Sequence, residues 1–166
     1  MTTKKAKQIG SQQGLLLAGI GVFLAYLLVM LLLYPSESLL KTLFWILEAD
    51  YQVNLITGVV FFLFCGYLFG QLAGWLILIK QWNATFTGAL LGLAILFTAT
   101  FLTSWVGFFQ EGIHDLGTPA NSFYDYIFKP VFWVTMAGVF PASIAGAWFG
   151  WRIKRKGKGY LQAGEG

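Results

Sequence analysis

The sequence predicts an all-α membrane protein, a bundle of four transmembrane helices with a short amphipathic helix along the outer interface. Hydrophobic residues make up 57% of the 166 residues and charged residues only 11%, whereas about a quarter of the residues in a soluble domain are charged. Four long apolar runs alternate with polar segments, and small residues recur at four-residue spacing inside three of them. A chain of this composition is expected to use the lipid bilayer as its main solvent.

Each apolar run is long enough to cross the hydrocarbon core of a membrane, for which about 20 residues are needed. The transmembrane domain is predicted at residues 14–151, with spans at about 14–34, 53–79, 86–109 and 131–151. Residues 1–13 and 152–166 are predicted to be basic tails. A basic start before an apolar run also describes a signal peptide, but the length of the first run and the Tyr-Pro-Ser-Glu-Ser sequence after it favour an uncleaved anchor.

A short helix is predicted between the first two spans. Pro35 ends the first run, and Ser36 is a suitable cap for a helix that continues to about Glu48. Leucines and one phenylalanine share one face of this helix, while Glu37 and Lys41 lie four apart on the other. At this length we expect the helix to lie along the membrane surface rather than to span it.

The distribution of charge predicts the orientation. The two tails and the connection after the second span hold nine Lys or Arg residues against one acidic residue, whereas the other two loops hold two basic residues against six acidic ones. Cytoplasmic segments carry an excess of Lys and Arg. We therefore expect both termini in the cytoplasm and a multi-pass protein in the plasma membrane, which would be the inner membrane if the protein is bacterial.

Small residues at four-residue spacing indicate close helix packing, because residues four apart lie near one face of a helix. The second span carries Gly66, Gly70 and Gly74, the third carries Ala84, Gly88 and Gly92, and the fourth carries Gly138, Ala142, Gly146 and Gly150. The spacing does not indicate whether the helix opposite each stripe belongs to the same chain or to another one.

Three polar or kinking residues are candidates for a solute path. Gln71 is the only amide well inside a predicted span, and an amide in hydrocarbon needs a partner. Thr98 begins a hydroxyl-rich stretch that ends at Ser104, although such hydroxyls commonly bond to their own helix. Pro141 removes one backbone hydrogen bond in the middle of the fourth span. In each case structural packing is the simpler interpretation.

The cluster of Glu111, His114 and Asp115 follows the third span and is the one candidate for a surface site. One histidine with two carboxylates is a weak metal pattern, and the simpler interpretation is a solvated turn. The single cysteine, Cys65, excludes an internal disulfide and any CxxC motif. We predict no metal, no cofactor and no catalytic residue.

These patterns favour a non-enzymatic membrane protein that acts by helix–helix association, as a homo-oligomer or with other membrane proteins. A small channel or facilitator for a neutral solute is one alternative, and a membrane-embedded enzyme acting on lipid or quinone is another. No Asp, Glu, Lys, Arg or His lies within a predicted span, which disfavours ion-coupled transport. The expected partners are the lipid bilayer and, at the basic C-terminal tail, anionic lipid. Binding of nucleic acid is not expected.

Overall fold

A computed structural model describes residues 1–33, 52–113 and 121–162, and every regular element within these ranges is helical. Helix α1 covers Thr3–Leu33, α2 covers Gln52–Leu78, α3 covers Ala84–Gly107 and α4 covers Lys129–Gln162. Two π-helical turns, Phe108–Gly112 and Tyr124–Phe128, follow α3 and precede α4. All four long helices are apolar enough to cross a membrane, which confirms the predicted all-helical fold with four such helices. The predicted surface helix at 36–48 lies outside the described residues.

The helices form two antiparallel hairpins. In the first, Ala6 near the start of α1 contacts Gly74 near the end of α2, and Ala18 contacts Gly66. In the second, α3 runs against α4 in the same manner, and α2 packs against α3 to join the hairpins. The start of α1, the connection between α2 and α3, and the last turns of α4 therefore lie at the same end of the bundle.

The connection between α2 and α3 is short, and two polar side chains within it form hydrogen bonds with backbone groups at the ends of the two helices. Gln81 takes a left-handed backbone conformation with φ of 58°, and its side chain donates a hydrogen bond of 2.8 Å to the carbonyl of Leu78. The side chain of Asn83 accepts a hydrogen bond from the backbone N–H of Phe86 and caps α3. This tight turn makes α2 and α3 antiparallel neighbours.

The larger of two buried clusters among the described residues lies toward the end of the bundle that carries the chain start, and a smaller one at Cys65, Ile95 and Ala99 lies near the middle. Phe149 and Ile153 of α4 are the largest fully buried side chains of the larger cluster, and they pack with Ala73, Ile77 and Leu91 from α2 and α3. Large apolar side chains cover the outside of the bundle on every helix. The apolar window of α4 is the least covered, with 6% of it buried inside the protein compared with 33% for α1.

Helix α1 begins earlier than the apolar run does. It includes residues 3–13, which the charge pattern assigned to a polar tail. Ala6, Ile9 and Gly10 are buried in this segment, while the neighbouring lysines are exposed. The segment is helical because its small residues pack against α2 on one face and its charged residues stay on the other.

Candidate functional site

The first hairpin is closed by direct contact between two backbones. A Cβ atom built on Gly70 would lie 2.6 Å from the carbonyl oxygen of Gly10, and one built on Gly74 would lie 3.0 Å from the Cα of Gly10. A Cβ built on Gly66 would lie 2.8 Å from the Cβ of Ala18. The stripe on α2 thus faces α1 of the same chain, and any side chain larger than hydrogen would push the two helices apart.

The second hairpin repeats this arrangement. A Cβ on Gly92 would lie 2.7 Å from the carbonyl oxygen of Ala142, and one on Gly88 would lie 2.8 Å from the Cα of Gly150. Gly146 also meets backbone, that of Gly88 and its neighbour. Small residues on both helices let the backbones approach and gain van der Waals contact, which is the main attraction available between helices in lipid.

Gly138 differs from the other members of the α4 stripe. A Cβ atom there would meet the Leu96 side chain, with its Cδ2 atom at 2.5 Å, rather than backbone. A side-chain end can rotate away, whereas a backbone atom cannot move without the helix. The close contact of α3 with α4 therefore depends on Gly146 and Gly150 more than on Gly138.

The structure adds a fourth stripe that the hydropathy pattern had missed. It lies on α1, directly opposite the α2 glycines, and consists of Ala6, Gly10, Gly14 and Ala18. The four-residue spacing is visible in the sequence, but Lys4 and Lys5 before Ala6 and Lys7 after it lower the local hydropathy. Each hairpin thus has small residues on both of its helices.

Gln13 is a buried amide that the sequence reasoning also missed. It is only 3% exposed, and its Oε1 atom has no hydrogen-bond partner among the described residues. Thr87 of α3 is equally buried, and its hydroxyl is likewise unpartnered within the described part of the chain. An unpaired buried polar group lowers the free energy of unfolding by about 1–3 kcal/mol. Gln13 and Thr87 are therefore candidates for positions where an apolar side chain would raise stability.

The candidate path residues lie on three different helices at successive levels. Gly58 of α2 lies beside Thr103 of α3, and the two helices are antiparallel. Gln71, further along α2, therefore lies beside about residue 90 of α3. That position is roughly 12 Å from Thr98 along the helix axis at 1.5 Å per residue. Gln71 and Thr98 are half-buried and Pro141 is exposed. The hydroxyls of Thr100 and Thr103 donate to carbonyls of their own helix, at 2.8 Å in each case. A continuous path through these residues stays a prediction.

The predicted surface cluster is described only at Glu111, because His114 and Asp115 lie outside the described residues. Glu111 is exposed and belongs to the π-helical turn that extends α3. Gly112 beside it is buried against the rings of Phe108 and Tyr126. At the same end of the bundle, the Lys129 ammonium pairs with the Asp125 carboxylate one helical turn away.

An aromatic ladder covers the beginning of α4 and the π-helical turn before it. The rings of Tyr124 and Phe128 stack with centroids 5.2 Å apart, and those of Phe128 and Phe132 stack at 6.1 Å. Trp133 meets Phe132 edge to face at 5.5 Å and is 67% exposed. We call these four residues the aromatic ladder. Their mutual stacking fixes large rings on the outside of the bundle.

A basic aromatic cleft lies at the opposite end of α4. It is an open surface cleft with a volume of about 460 Å³, and its lining comes from α4 alone: Trp148, Trp151, Arg152, Arg155 and Lys156. The guanidinium carbon of Arg152 is 4.9 Å from the centroid of the Trp148 ring, and that of Arg155 is 5.4 Å from Trp151. Both distances are typical of cation–π contacts.

Comparison of the chain with protein-family models, with curated proteins and with solved structures finds no match.

Proposed function

We propose that the protein is a multi-pass integral membrane protein that acts through helix–helix association, as a homo-oligomer or as a subunit of a membrane complex. The length and apolar character of its four helices support insertion. The concentration of basic residues at one end of the bundle supports cytoplasmic termini and location in the plasma membrane, which would be the inner membrane of a bacterium.

The small-residue stripes pack helices of one chain against each other. The glycines that were candidates for contact with another protein, among them Gly70 and Gly146, contact helices of the same chain. Association with another membrane protein then uses the large apolar side chains that face outward. The predicted oligomer or complex stays a proposal, and we assign its contact surface to the outward-facing side chains instead of the glycine stripes.

The observation that carries the proposal is the aromatic ladder on the least covered helix. Aromatic side chains and methionine are enriched where proteins meet, because a rigid ring contributes a large contact area at little cost in conformational entropy. Met136 lies one turn beyond Trp133, and both are more than half exposed. The ladder and Met136 lie on the π-helical turn and the first turns of α4, away from the end of the bundle that carries the chain start.

The test is the molar mass and composition of the protein purified in mild detergent. We expect a mass above that of the 18.5 kDa chain after correction for bound detergent, or a stoichiometric second protein. A variant with Phe128→Leu and Trp133→Leu keeps the surface apolar but removes two rings of the ladder. We expect it to reduce the oligomer or to lose the second protein.

The control removes equally exposed rings elsewhere. Phe23 of α1 and Phe86 of α3 are 60% and 64% exposed, and Phe23→Leu with Phe86→Leu is expected to leave the assembly unchanged. A monomer with no associated protein contradicts the proposal. Equal loss of assembly in both double variants contradicts the assignment to the ladder.

A further inference from the structure

The basic aromatic cleft at the end of α4 has the features of a site rather than of a diffuse charged tail. Its five lining residues follow the spacing of one helix face, at positions 148, 151, 152, 155 and 156. The helix continues to Gln162, so the basic residues are held in register with the two indoles. A disordered tail of the same composition would not fix these groups relative to each other.

No carboxylate in the described part of the chain lies near the charges of the cleft. The two carboxylates in the described part of the chain, Glu111 and Asp125, lie at the opposite end of the bundle. The cation–π contacts place the guanidinium groups of Arg152 and Arg155 beside Trp148 and Trp151. Two guanidinium groups and one ammonium group on one helix face are suited to phosphate, which arginine binds in a bidentate manner.

An apolar strip leads away from the cleft along the same face of α4. Ile144 lies four residues before Trp148 and is 71% exposed, and Phe140 lies four residues further and is 78% exposed. Cations, exposed indoles and an apolar strip thus follow each other along one line. A free phosphate or an acidic peptide would use only the first part of this line, whereas a phospholipid would use all of it.

We propose that the cleft binds the phosphate head group of an anionic phospholipid, with an acyl chain along Ile144 and Phe140. Arg152, Arg155 and Lys156 contact the phosphate, and Trp148 and Trp151 lie at the boundary between head group and chain, where indoles are favoured. This inference rests on the proposed membrane insertion. Flotation of the protein with vesicles tests insertion separately from lipid preference.

The experiment measures phospholipid bound to the full chain in mild detergent by native mass spectrometry. Phosphatidylglycerol and phosphatidylcholine are titrated in parallel, and we expect phosphatidylglycerol to be retained preferentially. Arg152→Gln with Arg155→Gln is expected to weaken its binding by roughly tenfold or more, since both guanidinium groups lose charge-assisted hydrogen bonds to the phosphate. Arg155→Gln alone, at an exposed position, gives a smaller loss and serves if the double variant does not fold.

The matched control removes the same charge from the same helix outside the cleft. Lys154 and Lys158 are exposed and do not line it, so Lys154→Gln with Lys158→Gln is expected to change binding by less than about twofold. Equal losses in the two double variants would show attraction by net charge and overturn the site.

Two further arms separate the other ligands. Inorganic phosphate and glycerol phosphate are expected to compete only at far higher concentration than the lipid. Competition at similar concentration would mean that the cleft recognises phosphate without the acyl chain. Binding of polyglutamate that depends on Arg152 and Arg155, without a preference for phosphatidylglycerol, would favour an acidic protein partner and overturn the lipid assignment.

Discussion

Gly10 and Gly70 lie backbone against backbone, and each occupies the space that a side chain on the other would need. A Cβ atom on Gly70 would lie 2.6 Å from the carbonyl oxygen of Gly10, and a Cβ atom on Gly10 would overlap the carbonyl oxygen of Gly70. The contact is reciprocal, so neither helix can accommodate a methyl group by moving a side chain.

The first prediction concerns two glycines of α1 that share the same helix but not the same surroundings. Gly10→Ala is expected to lower stability by about 1–3 kcal/mol, because the added methyl overlaps backbone. A Cβ on Gly19 has nothing within 4 Å, so Gly19→Ala is expected to be neutral or to raise stability by up to about 1 kcal/mol. Thermal unfolding of both variants in one detergent compares them directly, and a similar shift for both would contradict the packing argument.

The second prediction separates backbone contact from side-chain contact in the other hairpin. A Cβ on Gly150 would lie 2.8 Å from the carbonyl carbon of Ala84, whereas one on Gly138 meets the end of the Leu96 side chain. We expect Gly150→Ala to lower the thermal midpoint clearly more than Gly138→Ala, since only Leu96 can rotate away. If Gly138→Ala is the more damaging change, the closest part of the α3–α4 contact lies elsewhere.

The four-residue spacing predicts small-residue stripes on α2, α3 and α4, and the structure places glycines of these stripes against neighbouring helices of the same chain. The spacing could not identify the partner of each face, since it defines a stripe on one helix and contains no information on the helix opposite. The α1 stripe was missed because hydropathy averages over all faces of a helix, and three lysines outweigh Ala6 and Gly10 in that average. The same average placed the end of the fourth span at residue 151. The helix continues beyond that residue to Gln162, which the average did not predict, and this continuation places Arg155 beside Trp151.

The third prediction tests the buried amide of Gln13. Its Oε1 atom is unpartnered among the described residues, so Gln13→Met removes a costly polar group while keeping an unbranched side chain of similar length. We expect stability to rise by about 1–3 kcal/mol. Gln12→Met, at the exposed neighbouring position, is expected to change stability by less than about 0.5 kcal/mol. A lower thermal midpoint for Gln13→Met alone would show that the amide has a hydrogen-bond partner, such as a buried water.

The fourth prediction concerns the orientation of the bundle. The chain start lies at one end of the bundle and Glu111 at the other, and the excess of basic residues at the first end favours the cytoplasmic side. The native thiol of Cys65 is 2% exposed, so we expect it not to react with a maleimide and not to interfere with labelling of introduced cysteines. If it does react, Cys65→Ala removes this background.

Thr2→Cys and Glu111→Cys then report on the two ends. In intact cells a membrane-impermeant maleimide is expected to label Glu111→Cys, and to label Thr2→Cys only after the membrane is permeabilised. The reverse pattern would mean the opposite orientation. Labelling of both before permeabilisation would place the chain start and the end of α3 on the same side, which four antiparallel spans do not allow.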